Sequence, residues 1–172
     1  MWLGKIRISD GFIFMIAFVI AFCCLFGNGN GNYMPGTVMT HTEYQNISEL
    51  GTVSGQIDKA LNLAIDAYTP DDKSALLDYV ELTNEIIGKI YEYEIPEEFI
   101  PYRDNVLKEV ECSADIAYHL YYDEFDLARD KVEEKNAIYK NGVDLFRQGL
   151  TDIGCSWYEN ENGIHFSIRK EN

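Results

Sequence analysis

The side chains that could ligate a metal or act as nucleophiles are few and widely spaced in this chain. The cysteines and histidines are Cys23, Cys24, Cys112, Cys155, His41, His119 and His165. No two cysteines have the C-x-x-C spacing of a zinc ribbon or a thioredoxin-type site. Asp115 stands four residues before His119 and could share a metal with it on one helix face, but two ligands are too few for a specific site. We therefore expect no metal and no cofactor.

Catalytic motifs are also missing from the sequence. There is no glycine-rich phosphate loop, no H-E-x-x-H and no G-x-S-x-G. No glutamate stands three residues before a histidine, as the di-iron sites of helical bundles require. Cys112 is a poor nucleophile because the carboxylates of Glu109 and Glu111 would raise the pKa of its thiol. The sequence predicts a protein that is not an enzyme.

Cys112 and Cys155 could have a structural role if the body of the chain is exported. Lone cysteines in an oxidising compartment commonly pair, so we predict a disulfide between them. In the chain-entropy model, closing a loop of roughly 44 residues stabilises a fold by about 4 kcal/mol. The alternative is that both cysteines stay free and buried.

Residues 11–27 form an apolar segment behind a short basic start at residues 1–10. Residues 11–26 contain no charge and would make roughly 24 Å of helix, which lies between the lengths of a signal peptide and a membrane-spanning helix. Lys5 and Arg7 precede the segment, and the next cation is Lys59. The positive-inside rule then keeps residues 1–10 in the cytoplasm and sends the body across the membrane. We expect a single-pass membrane protein, N-in and C-out, or a secreted protein after cleavage of the signal.

Two other fates of this segment are weaker alternatives. Cys23 and Cys24 end the apolar run and suggest lipidation, but Phe22 precedes Cys23 where a lipoprotein signal has a small residue. Pilin-like assembly would explain an apolar run that opens at Gly11 after a basic leader. Ile16 stands where pilin-like chains have a glutamate, and the Gly/Asn repeat at residues 27–32 ends a helix.

The charge of the chain excludes one class of partner. Its formal net charge is −15, and the segment before Gly27 contributes +1, which leaves −16 for the rest. A field of this sign repels phosphate backbones, so we expect no nucleic-acid partner.

The body has the periodicity of an all-α protein. Residues 28–43 are rich in Gly and Asn, which predicts a flexible tether. Residues 44–154 then place apolar side chains three or four residues apart in four segments, near residues 47–68, 76–90, 106–121 and 125–150. Short connections between helices of this length favour an antiparallel up-down four-helix bundle.

Residues 155–172 change from helical to alternating periodicity. Ile164, Phe166 and Ile168 alternate with polar side chains after a turn signal, which predicts a short β-hairpin with Ser156–Glu159. An isolated hairpin is marginal, so it should pack on the bundle through Trp157 or Phe166.

Two further sets of residues are candidate sites on an exported surface. Asn46 begins an Asn-Ile-Ser sequon and is a candidate for glycosylation. Aromatic side chains at two predicted turns could stack on a ligand or peptide. They are Tyr91, Tyr93, Phe99, Tyr102, Tyr118, Tyr121 and Tyr122.

The layout resembles that of the many small exported or lipoprotein-like bundle proteins of prokaryotes, and such a layout implies no particular activity. We expect a membrane-tethered, non-enzymatic interaction module at the cell surface, with an unidentified protein or small-ligand partner. The alternative is a ligand-binding sensor or accessory domain of a larger envelope complex. An interaction module should expose an apolar patch, whereas a sensor should enclose a pocket between helices.

Overall fold

The fold is a helical bundle followed by a small antiparallel hairpin. A computed structural model describes residues 39–160 and 163–167. The helices are α1 (His41–Ala67), α2 (Ser74–Tyr91), α3 (Ile100–Tyr121) and α4 (Phe125–Asp152), and a 3₁₀ turn at Glu97–Phe99 precedes α3. The strands are β1 (Ser156–Asn160) and β2 (Gly163–Ser167). The mainly helical fold and the hairpin predicted from the sequence are confirmed.

The predicted signal or anchor segment, with Cys23 and Cys24, lies outside the described residues, as does most of the tether. Within the described part of the chain, no helix combines the length and apolarity needed to cross a membrane.

Helix α1 begins earlier than the tether boundary at residue 43 predicted. Thr40 and Glu43 form a capping box, in which the Glu43 amide donates to Thr40 Oγ1 and the Thr40 amide donates to Glu43 Oε2. These two bonds satisfy backbone donors that the first turn leaves free. The helix therefore starts at His41, inside the Gly/Asn-rich region.

Cross-helix contacts show how consecutive helices run. Lys89 near the end of α2 bonds to Glu49 near the start of α1, so these two helices are antiparallel. Asn105 of α3 donates to the Ile138 carbonyl of α4, and Cys112, further along α3, donates to the Lys131 carbonyl, earlier in α4, so this pair is antiparallel as well. Helix α3 contacts each of the other three helices.

The predicted apolar faces form the core in two groups. One group lies at the hairpin end and includes Leu50, Ile57, Phe99, Val110 and Leu150. The other lies at the opposite end and is built around Leu61, Leu76, Tyr79, Ile116 and Ala117.

The hairpin packs against the first of these groups. The observed pairs run from Ser156 opposite Ser167 to Asn160 opposite Gly163, which agrees with the predicted pairing over the described strands. Trp157 and Phe166 both contact the core at this end. Trp157 also donates from Nε1 to Thr151 Oγ1 over 3.0 Å.

Candidate functional site

Three ionisable side chains from three helices meet between the two core groups. Glu109 of α3 and Lys135 of α4 are almost completely buried, and Asp58 of α1 lies beside them. The Lys135 ammonium nitrogen bonds to Asp58 Oδ1 and lies 3.2 Å from Glu109 Oε1. The Ser54 hydroxyl donates to Glu109 Oε2 over 2.6 Å. We call Asp58, Glu109 and Lys135 the buried charge cluster.

The buried charge cluster is not balanced. Two carboxylates face one ammonium, so its net charge is −1 when all three groups are ionised. Glu109 Oε1 is fully buried, and its contact is the ion pair with the Lys135 nitrogen 3.2 Å away, which is not a well-aligned hydrogen bond. A carboxylate can accept about four hydrogen bonds. Glu109 therefore keeps acceptor capacity that the protein does not use.

The surroundings shift the pKa values of this cluster. Burial raises the pKa of Glu109, and the opposing effects of Lys135 and Ser54 only partly offset it. For Lys135, burial acts to lower the pKa, but the carboxylates of Glu109 and Asp58 outweigh burial and the net pKa is raised. Lys135 therefore stays charged at neutral pH, and Glu109 takes up a proton at a higher pH than an exposed glutamate does.

A cavity of ≈ 100 Å³ lies beside the cluster. It is bounded by α1, α3 and α4, and residues of both hairpin strands lie at its edge. Glu109 and Ser54 belong to its wall, together with many apolar side chains. An engineered apolar cavity of roughly 150 Å³ in another protein binds benzene. The present cavity is smaller than that, so only a small molecule would fit in it.

Aromatic rings form much of the cavity wall. The ring centroid of Phe146 lies 5.1 Å from that of Tyr102 and 5.9 Å from that of Phe166. The Phe166 ring in turn lies 6.3 Å from the ring of Tyr44. Tyr139 of α4 also contributes to the wall. Tilted and edge-on pairs of this kind are the arrangements that aromatic rings prefer, and they stabilise the wall.

The other strongly polar groups at the cavity have partners within the protein. Asn105 donates to the Ile138 carbonyl over 2.9 Å and accepts from Asn141 over 2.8 Å. Glu159, at the hairpin edge, accepts from Arg147 over 2.6 Å. The charged residues that line the cavity are Glu109 and Glu159, and both are acidic. The cavity is therefore apolar over most of its wall and negative where it is charged.

The predicted recognition aromatics do not form one site. Tyr102 lines the cavity, and Phe99 is fully buried in the core. Tyr91 is exposed, and Tyr93 donates to Glu49 over 2.9 Å. The remaining three residues lie at the opposite end of the bundle, where Tyr118 and Tyr122 are exposed and Tyr121 is half-buried.

The predicted disulfide between Cys112 and Cys155 is wrong, because both residues are free thiols in the structure. Cys112 donates from Sγ to the Lys131 carbonyl over 3.3 Å, near the start of α4. Cys155 follows the other end of α4, which continues to Asp152. At 1.5 Å per residue, the helix between these levels is about 30 Å long. A disulfide needs Cα atoms within about 7 Å of each other.

The Cys112 thiol is also poorly suited to nucleophilic chemistry, as the sequence indicated, but for a different main reason. Its pKa is raised to about 11, first by burial and then by the carboxylate of Glu134. Glu109, one of the two acids expected to act on this thiol, is directed to Ser54 and Lys135 instead.

Asp115 and His119 do not come together as a ligand pair. Asp115 bonds to Lys131 over 3.1 Å, and His119 bonds through Nδ1 to Glu124 over 2.7 Å. Among residues 39–160 and 163–167, no group of three or more His, Cys, Asp or Glu side chains is arranged to hold a metal ion.

Asn46, the candidate glycosylation site, lies in the second turn of α1. Its Nδ2 atom donates to the Glu94 carbonyl over 2.9 Å, which links α1 to the chain after α2. This nitrogen is the atom that would carry a glycan, and glycosylation stays a prediction.

Sequence reasoning missed the buried charge cluster, although a signal for it exists. Glu109 stands three residues after Val106, and Lys135 stands three residues after Val132, so both fall on the predicted inward faces of their helices. Opposite charges on the inward faces of consecutive helices indicate a buried ion pair. The contribution of Tyr44 and Phe166 to the cavity has no such signal, because it depends on where the hairpin docks.

Comparisons with protein-family models, curated proteins and solved structures gave no significant match to this chain.

Proposed function

We propose that the bundle is a ligand-binding module that takes a small, mainly apolar molecule into the cavity between α1, α3 and α4. The observation that carries this proposal is the cavity itself, a mainly apolar pocket bounded by three helices and the hairpin. Aromatic side chains with a small number of polar groups are typical of small-molecule sites. This is the sensor or accessory-domain alternative of the sequence analysis, and it requires no catalytic group.

The test is binding of toluene to the full-length protein, measured by ligand-observed NMR. Val143→Phe places a ring in the cavity wall and should abolish saturable binding. Ala137→Phe adds the same ring to an exposed position of the same helix and should leave binding unchanged. Because both variants keep the apolar N-terminal segment, any uptake of toluene by lipid or detergent is the same in each. Toluene binding that Val143→Phe does not reduce would refute the proposal.

A second candidate function is protein interaction through the opposite end of the bundle. Tyr118, Tyr122, Phe125 and Leu127 are all exposed there, around the turn between α3 and α4. This turn is held by Asp123, which has a left-handed backbone (φ 60°) and accepts from Lys73 over 2.6 Å and from Tyr68 over 3.0 Å. An ordered, exposed aromatic surface is typical of interaction sites.

This second candidate is tested with a photo-crosslinking residue in place of Tyr122 on intact cells, followed by mass spectrometry. Tyr91 is equally suitable as a control, because it is exposed but lies at the end of α2, away from this turn. One defined partner crosslinked from position 122 and not from position 91 supports an interaction surface. The same products from both positions would count against it.

We further propose that residues 11–27 hold the domain on the outer face of a membrane, or direct its secretion after cleavage. The order of Lys5 and Arg7, the apolar segment and the acidic remainder supports this orientation. The anchored form should sediment with membranes and resist alkaline extraction, whereas the cleaved form should appear in the medium without its first residues. Intact protein that remains in the cytosol would contradict both forms.

A further inference from the structure

The end of the bundle opposite the hairpin combines exposed aromatic rings with an excess of carboxylates. Tyr118 and Tyr122 are 49% and 53% exposed, and their ring centroids lie 4.8 Å apart. Phe125 and Leu127 are exposed at the start of α4. We call these four residues, with the carboxylates around them, the acidic aromatic surface. Large apolar side chains that stay exposed as a group indicate an interaction site.

The charges of this surface determine which kind of partner fits. Its exposed carboxylates are Asp71, Asp72, Asp123, Glu124 and Asp126. Lys73 and Arg129 lie among them and are already paired, with Asp123 and Asp126 respectively. The chain as a whole carries a formal charge of −15. An anionic partner or a second copy of this surface would therefore be repelled, and a cationic partner would be attracted.

The protein binds one of its own cations at this end, and that contact shows what the surface accepts. The Lys73 ammonium nitrogen lies 5.9 Å from the ring centroid of Tyr68 and 5.8 Å from that of Tyr121. It also donates to Asp123 Oδ2 over 2.6 Å and to the Tyr121 carbonyl over 2.8 Å. This cation is thus held by aromatic rings and by a carboxylate at the same time.

Tyr122 continues this arrangement towards the solvent. Its ring centroid lies 5.1 Å from that of Tyr121. Asp123 and Glu124 are the next two residues of the turn, so their carboxylates belong to the same surface. Among residues 39–160 and 163–167, no Lys or Arg side chain lies over the ring of Tyr118 or Tyr122. These two rings are therefore available to a cation from another molecule.

The direction of α1 places this surface far from the point where the N-terminal segment joins the bundle. In the first turns of α1, Tyr44 contacts Phe166 of the hairpin. At its other end, Tyr68 donates to Asp123 over 3.0 Å. At 1.5 Å per residue, the 27 residues of α1 span about 40 Å. A domain that is tethered through the chain before residue 39 would present the acidic aromatic surface away from its tether.

We propose that the acidic aromatic surface binds a basic segment of a partner protein, whose arginine or lysine side chains lie on the rings of Tyr118 and Tyr122 and pair with the neighbouring carboxylates. This inference rests on the second candidate function, since it specifies which kind of partner the same surface takes. Phe125 and Leu127 contact the apolar parts of that segment.

A short synthetic peptide in which arginine alternates with glycine is a suitable probe, and the same peptide with citrulline in place of arginine is its neutral control. We expect Tyr122→Ser in the full-length protein to weaken binding of the arginine peptide by about two- to fivefold, because it removes one cation–π contact at an exposed site. Tyr91→Ser removes an exposed ring at the end of α2 and should leave the affinity unchanged. Neither substitution alters the charge of the protein, so the general attraction between acidic protein and basic peptide is the same in both.

A measurement on the unmodified protein keeps the test independent of the folding of Tyr122→Ser. The ring resonances of Tyr118 and Tyr122 should shift when the arginine peptide is added, whereas those of Tyr91 should not. The citrulline peptide should shift none of them. Equal weakening by Tyr122→Ser and Tyr91→Ser, or equal binding of the two peptides, overturns the inference.

Photo-crosslinking from position 122 separates this inference from the function on which it rests. The inference requires the crosslinked segment of the partner to be rich in lysine and arginine. A defined partner captured through an uncharged or acidic segment, or a second copy of this chain, overturns the inference while the interaction surface stands. The same products from positions 122 and 91 would remove both.

Discussion

The ammonium group of Lys135 compensates the charge of two carboxylates in the middle of this bundle. Its ammonium contacts both Asp58 and Glu109, although its side chain is only 5% exposed. Taking charges out of water is costly, and the attraction within such a cluster recovers that cost only while every partner is present. The cluster is thus a point where a single substitution has a large effect.

We predict that Lys135→Met destabilises the fold by about 3–5 kcal/mol, because it leaves Asp58 and Glu109 facing each other without a cation. Lys140→Met is the control, since Lys140 is an exposed lysine of the same helix and should change stability by less than about 0.5 kcal/mol. Urea unfolding of both variants gives the comparison. Equal stabilities would show that the ammonium of Lys135 is not needed.

Glu109 makes the stability of the protein depend on pH in a direction opposite to that of most carboxylates. Its folded pKa lies above the ordinary value of 4.5, so between these two values the folded protein holds a proton that the unfolded chain has released. The free energy of unfolding contributed by this group therefore increases as the pH falls from the folded pKa towards 4.5, and it levels off below 4.5.

The variant Glu109→Gln isolates this contribution, because it removes the titrating group and keeps its shape. We expect the wild type to gain stability relative to Glu109→Gln as the pH is lowered from about 7 to about 4.5. Glu49, Asp72 and Asp123, whose pKa values are lowered by their hydrogen bonds, affect both proteins alike. Urea unfolding across this range measures the difference, and a difference that stays constant or shrinks with acidification would contradict the assignment.

At the scale of elements, α4 is positioned by close contact with the 3₁₀ turn that precedes α3. A Cβ atom at Gly149 would lie 3.1 Å from the Glu98 carbonyl oxygen and 3.1 Å from the Phe99 ring. The prolines at 96 and 101 fix the backbone on either side of this turn. The turn has little room to move away.

We therefore predict that Gly149→Ala destabilises the protein by about 1–3 kcal/mol, the usual cost of overpacking. Gly88→Ala is the matched control, because Gly88 is an exposed residue of α2 and its added Cβ would meet nothing within 4 Å. It should stabilise the protein by about 0.5–1 kcal/mol, since alanine loses less backbone entropy in a helix. Thermal unfolding of the two variants shows whether their stabilities change in opposite directions relative to the wild type. A stabilising Gly149→Ala would disprove the close contact.

At the scale of the whole molecule, the two cysteines of the body lie far apart along the bundle. Cys112 faces the start of α4, and Cys155 follows its end, half-buried at the hairpin. This separation depends on the length of α4 and not on the sequence distance between the two residues.

We predict that the native full-length protein contains no bond between Cys112 and Cys155, even in an oxidising buffer. Brief treatment with iodoacetamide should modify Cys155 before Cys112, because Cys112 is only 4% exposed and its pKa is raised to about 11. Peptide mapping by mass spectrometry distinguishes these two sites from Cys23 and Cys24. A recovered peptide pair joined through residues 112 and 155 would contradict the structure.

The sequence by itself determined the helices and the hairpin. The apolar faces through Leu50 and Leu61 in α1, and through Val106 and Val110 in α3, are buried as their spacing predicted. Helical and alternating periodicities are local properties, so they can be read from one chain without knowing what each element packs against.

Only the tertiary structure decided the site. The cavity needs Tyr44, Glu109, Phe146 and Phe166 side by side, and these residues come from three helices and a strand. The same holds for the two cysteines, whose separation is set by the length and direction of α4. Which inward-facing residues meet depends on the offset and distance between helices, and these follow from side-chain packing across the whole core. Local periodicity in the sequence does not determine that packing.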